Sequence, residues 1–210
     1  FTDVTSSSIV PNVTVIYACG NHDTGWSSQV VKSRSERWQK VFGRMHFVTE
    51  IRGIAEIVTL CTPAMSDGAE NYESGMALLR SLGRPNGTRI LLTHIPLFRP
   101  SSTSCGRRGL VTIEWGQGND YTNMLEPDES RTILDLASPV AVFSGDHHRE
   151  CSVRHPNRII EYTLPTMGLV GGTSRTAYAL TTISKGNLVQ MNLCILPNAY
   201  FTWFIYSSFC

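Results

Sequence analysis

Three short clusters of metal-ligating or proton-bearing side chains each follow an apolar run. Gly20-Asn21-His22-Asp23 follows Val13-Thr14-Val15-Ile16-Tyr17-Ala18-Cys19. His94 follows Arg89-Ile90-Leu91-Leu92-Thr93 and precedes Pro96. Asp146-His147-His148 follows Pro139-Val140-Ala141-Val142-Phe143 and a Ser144-Gly145 pair. Amide oxygen, imidazole and carboxylate together suit manganese, iron or zinc better than calcium or a thiolate site. Asn21, His94, Asp146 and His148 are therefore the candidate metal ligands. Positions 146 and 148 alternate, so in extended or turn backbone both can face one side and serve two adjacent metals. His147 then points away, behind the ligands or toward substrate. His22 suits a proton donor or a ligand, and Asp23 can orient it.

The elements that must position these residues read as strands. Each apolar run has the length of a buried strand, bounded by Gly or Pro. Gly20 ends the first run and lets the backbone turn sharply. Ligands in open α/β sheets bind beyond the carboxyl ends of strands, where all three clusters fall. Residues 29–42 carry the spacing of an amphipathic helix. Phe47-Val48 and Ala55–Leu60 read as a hairpin turning at Arg52-Gly53. Ser66-Asp67 reads as the cap of a helix running to Leu82, and Asp128-Glu129-Ser130 as the start of another through Leu136. Residues 158–163, 178–183 and 188–193 read as strands, the last two as a hairpin. Gly171-Gly172-Thr173 reads as a flexible turn. The fold class is thus α/β (mixed α+β): two packed mixed β-sheets flanked by helices.

Residues 99–127 form a long irregular stretch. A loop of that length in a compact domain is usually functional or disordered. Arg99 and Arg107 suit an anionic substrate, and Tyr121 could cover it.

The chain has 210 residues, with 18 basic and 17 acidic side chains. Charge this balanced argues against a nucleic-acid partner. The six cysteines show no zinc-type spacing. Cys19 and Cys61, in apolar strands, read as buried thiols, whereas Cys105 and Cys151, in loops, are better disulfide candidates. Asn12 and Asn86 open glycosylation triplets, Asn86 in the more accessible turn. The apolar stretch from Ala199 to Tyr206 reads either as the start of a membrane helix or as a terminal strand or aromatic tail. It divides the chain into a domain over 1–197 and a tail over 198–210.

Gly20-Asn21-His22-Asp23, Leu92-Thr93-His94-Ile95-Pro96-Leu97 and Ser144-Gly145-Asp146-His147-His148 together resemble, in order and context, the third to fifth motifs of the calcineurin-like metallophosphoesterases. Within that superfamily the chain is most similar to the branch of yeast cell-division-control protein 1. The same branch holds the animal phosphoesterase that trims ethanolamine phosphate from GPI anchors. Leu97-Phe98-Arg99-Pro100, Cys105-Gly106, Cys151 and Leu164-Pro165-Thr166 carry that finer likeness, which covers about residues 1–197.

The resemblance implies two divalent metal ions, manganese first. It implies a phosphodiester substrate, such as a GPI-anchor glycolipid, hydrolysed by a metal-bridging hydroxide. Asn21, His94 and Asp146 would hold one metal and His148 the other. Asp146 stands where most of the superfamily has His. His22 would protonate the leaving oxygen, with Asp23 orienting it. The same likeness implies a membrane-anchored enzyme with its catalytic domain in the lumen of the endoplasmic reticulum or Golgi. The family's first two motifs, Asp-x-His and Gly-Asp-x-x-Asp, do not occur ahead of Gly20. The expectation is therefore a partial domain lacking its first strands, with about half of a dinuclear site and no activity by itself. Other substrates (a nucleotide, a phosphoprotein) and a non-catalytic structural or binding module are the alternatives.

Overall fold

A central sheet built from the apolar runs organises the fold. The computed structural model describes residues 13–51, 53–65, 69–85, 87–105, 117–118, 121–168, 176–184 and 186–209, with backbone alone at 117–118, 121–122, 199, 202–203 and 209. Arg107, Asn12, Asn86, Ser66-Asp67 and Gly171-Gly172-Thr173 lie outside these residues. In chain order the elements are α1 (Asn21–Thr24), α2 (Lys32–Phe42), β1 (Phe47–Ile51), β2 (Ala55–Thr59), α3 (Tyr72–Ser81), β3 (Thr88–Leu92), β4 (Gln117–Gly118) and β5 (Tyr121–Thr122). Then come α4 (Pro127–Ala137), β6 (Ala141–Ser144), β7 (Cys151–Arg154), β8 (Ile160–Thr163), β9 (Ala177–Ser184), β10 (Leu188–Ile195) and α5 (Ala199–Phe209).

Six strands form one mixed sheet in the order β1-β2-β3-β6-β8-β7. The inner four run parallel, and β1 and β7 close the edges antiparallel. Parallel strands are covered on both faces, which is why β3 and β6 read as unbroken apolar runs. Their side chains alternate between two cores. Val58, Leu91 and Val142 meet Met76 and Leu79 of α3 and Ile133, Leu134 and Ala137 of α4. Ile90, Ala141 and Phe143 meet Ile183, Val189 and Met191 of the β9–β10 hairpin. That hairpin is the second sheet, two-stranded, and Thr88 ties to it through a 3.1 Å hydrogen bond to the Ser184 carbonyl. The mixed α/β class and the two packed layers thus match the reading above.

Four local readings change. Residues 13–19 form no strand among the described residues, and Val13 and Val15 are exposed. An apolar run predicts burial, but a strand also needs a neighbouring backbone to bond. Cys19 and Cys61 are not thiols: they form a disulfide, as do Cys105 and Cys151. The helix assigned from Ser66-Asp67 begins at Tyr72 with Asn71 as its N-cap. The strand at β7 carries too short a pattern to be read in advance. At the other end, the apolar stretch from Ala199 is helical and eleven residues long. Tyr200, Phe201, Phe204 and Tyr206 on it are exposed. No helix among the described residues is long and apolar enough to cross a membrane.

His46, just before β1, is a buried imidazole. It lies under α3, where Gly75 leaves room for its ring. Burial, only partly offset by the nearby Asn71 backbone, lowers its pKa to about 4. Its Nδ1 accepts the Cys61 N–H at 3.3 Å, which requires the neutral ring. Because the unfolded chain takes up this proton first, stability should fall as pH drops from about 6.5 to about 4. The expected loss is about 3 kcal/mol. His46→Gln should flatten that part of a urea-unfolding pH profile; an unchanged slope would remove His46 as its source.

Candidate metal centre

Three chain segments meet at the carboxyl edge of the central strands. In the first, Gly20 is followed by a single helical turn, closed by Asp23 and Thr24 N–H bonds to the Gly20 carbonyl at 3.0 and 3.2 Å. The Asp23 carboxylate accepts the Gly20 N–H at 2.9 Å, so it holds its own turn. His22 is exposed on that turn, and Asn21 is half-buried.

The second segment leaves β3. The Thr62 hydroxyl accepts the N–H groups of both His94 and Ile95, at 3.1 and 2.7 Å. This fixes the backbone from which the His94 ring projects. Gly20 leaves room for the ring: a Cβ there would sit 3.1–3.3 Å from three of its atoms, a tight contact.

The third segment leaves β6. The Gly145 N–H donates to the His94 carbonyl at 2.8 Å and locks the two loops together. Asp146 and His148 both take left-handed backbone, φ 57° and 61°. Such conformations are disfavoured for residues with a Cβ, least so for Asp, Asn and His, and collect at functional sites.

These segments bring three donors together at one atom. His94 Nε2 lies 3.1 Å from Asn21 Oδ1 and 3.3 Å from Asp146 Oδ1. Ligands bonded at about 2.1 Å and at right angles to one cation are separated by about 3 Å, close to these two spacings. The Asp146 side chain is 5% exposed and that of His94 26%, which leaves the imidazole side open. His148 does not join them. Among the described residues no group of three His, Cys, Asp or Glu could hold a metal. The cluster found here therefore depends on the amide of Asn21.

Other candidate residues lie elsewhere. Arg99 was expected to face substrate, but its side chain is 1% exposed and its guanidinium bonds Glu161 Oε2 at 3.0 Å. It also donates to Thr163 Oγ1 at 3.0 Å and to Cys151 Sγ at 3.1 Å. His147 is half-buried, and its Nε2 has no hydrogen-bond partner among the described residues. Burial, then Arg149 and Arg99, favour its neutral form. Tyr121 contributes backbone to the small β4–β5 ladder.

Sequence reasoning missed Thr62, Ser144, Glu161 and His155. Glu161 is fully buried and accepts from Ser144 Oγ (2.6 Å), the Leu97 N–H (3.1 Å) and His155 Nε2 (2.7 Å) as well as Arg99. Burial alone would raise its pKa. Arg99, then His155, then Ser144 outweigh that and hold the carboxyl below its ordinary value. Only the polar position within an otherwise strand-like stretch hinted at Glu161, and an exposed strand face produces the same hint.

A mixed α/β fold with amide, imidazole and carboxylate side chains at one sheet edge is consistent with a metallophosphoesterase-like fold. No protein-family model matches the chain. It is 29% identical over 215 residues to Cell division control protein 1 of Saccharomyces cerevisiae, covering 89% of this chain and 44% of that protein. Metallophosphoesterase 1 of Rattus norvegicus is 24% identical over 194 residues, covering 77% and 49%. The Metallophosphoesterase 1 homolog of Caenorhabditis elegans is 24% identical over 213 residues, covering 93% and 56%. These similarities support a metallophosphoesterase family relationship, a family that implies divalent metal use. The chain spans about half the length of the curated relatives it matches.

Proposed function

We propose that this protein is a divalent-metal-dependent phosphodiesterase, with Asn21, His94 and Asp146 holding one cation. The meeting of their three donors at His94 Nε2 carries the proposal. Manganese is the first choice, with iron or zinc as alternatives. A bound divalent ion supplies positive charge against the phosphoryl oxygens and lowers the pKa of a water. His22, exposed beside Asn21, delivers a proton to the leaving oxygen. Asp23 secures the turn that presents it, through the Gly20 N–H. His148, on the same loop as Asp146, is the ligand offered to a second ion, and His147 remains a candidate for substrate contact.

The substrate proposed is the ethanolamine phosphate of a GPI-anchor glycolipid, at the lumenal face of the endoplasmic reticulum or Golgi membrane. Two disulfides favour an oxidising compartment. The exposed aromatic side chains of α5 suit a membrane interface. A second reading, a non-catalytic binding module, is favoured by the lack, among the described residues, of any group of three His, Cys, Asp or Glu side chains that could hold a metal.

Manganese titration of the full-length protein, combined with hydrolysis of bis-nitrophenyl phosphate, separates the two readings. The enzyme reading expects metal-dependent turnover, and Asn21→Ala should lose both metal and turnover. Metal-free protein that hydrolyses the ester equally well would sink it. Metal binding with no turnover of this ester or of a GPI glycolipid would favour the module.

A further inference from the structure

We propose that Glu161 is a positioning residue for the metal centre, clasping the two loops that carry His94 and Asp146. This rests on the metal-centre reading above. Its carboxylate stands on β8, paired in register with Val142 of β6 and on the same face of the sheet. Oε1 accepts from Ser144, the last residue of β6 and two before Asp146, and from the N–H of Leu97, three after His94. Oε2 accepts from Arg99 and His155. The Thr163 hydroxyl lies 3.0 Å from both Ser144 Oγ and Arg99 Nη2, and so closes the ring. One carboxylate therefore joins the β3 exit, the β6 exit, and the turn between β7 and β8.

Stability alone explains such a group poorly. A buried ion pair is often matched or bettered by apolar residues of equal volume. A second, largely buried pair, Arg89–Glu56 at 2.7 Å, occupies the other end of β2 and β3. It provides a comparison at the far end of the same sheet.

The test compares Ser144→Ala, Glu161→Gln and the control Glu56→Gln in the full-length protein. Amide hydrogen exchange at Gly145, urea midpoint and manganese affinity, with its electron paramagnetic resonance spectrum, are read for each. Ser144→Ala removes one arm of the clasp and keeps the Arg99–Glu161–His155 cluster. It should speed Gly145 exchange about tenfold relative to the β1–β2 hairpin. Glu161→Gln should do at least as much, and both should weaken manganese binding about tenfold with an altered spectrum. Glu56→Gln should lower the midpoint without moving either site readout.

Unchanged Gly145 exchange and metal affinity in Ser144→Ala would overturn the proposal, whether or not Glu161→Gln folds. Exchange that rises uniformly across all strands would also overturn it, by showing a structural role alone. If the parent protein binds no manganese, the metal-centre reading fails, and the exchange comparison still decides whether Glu161 clasps the loops.

Discussion

Arg99→Ala should lower the unfolding free energy by about 3–5 kcal/mol. The substitution strands the Glu161 carboxylate in the interior, and it removes donors from Thr163 Oγ1 and Cys151 Sγ. The pH dependence distinguishes this cause from simple loss of packing. In the parent, the Glu161 pKa is depressed, so its contribution is present above the unfolded carboxyl range and is lost as pH falls through the folded value. In the variant the largest cause of that depression is gone, so the pKa should rise. The destabilisation should therefore be largest near neutral pH and shrink once Glu161 can take a proton. Urea unfolding at about pH 7.5 and about pH 4.5 measures the gap between parent and variant. A gap that is equal at the two pH values would mean that Glu161 is not the stranded charge.

His22→Ala should reduce phosphodiester turnover by about 10²–10⁴-fold while leaving manganese affinity unchanged. The contrast with Asn21→Ala is the informative part. Residues 21 and 22 are neighbours on one helical turn, yet Asn21 Oδ1 meets His94 Nε2 whereas His22 is exposed. Metal loss should therefore follow the amide and turnover loss the imidazole. Single-turnover rates with saturating metal, set beside a metal titration of each variant, read the two effects separately. Normal turnover in His22→Ala would remove it from the chemistry, and lost metal would make it a ligand.

Several features of the site were legible because their physics is local. A parallel strand covered on both faces must be apolar along its length, so the runs ending in His94 and Asp146 announced themselves. A sheet edge that receives two such runs, β3 and β6, collects the polar residues that follow them. The hairpins β1–β2 and β9–β10 were visible for the same reason, through short apolar stretches broken by turn residues.

Tertiary structure decided the questions of partnership. Arginine in a loop has one appearance in sequence, whether its guanidinium awaits an anion or is spent on a buried carboxylate. Only the packing of β8 beside β6 brings Glu161 to Arg99. Cys19 and Cys61 look like small hydrophobic residues, and their disulfide depends on two distant segments arriving side by side. The run at 13–19 was apolar enough for a strand, but pairing needs a second backbone, and none of the described residues supplies one. Sequence determined which chemical groups reach the sheet edge, because strand burial is written in consecutive residues. Tertiary structure decided which of them meet, because that depends on contacts between residues far apart in the chain.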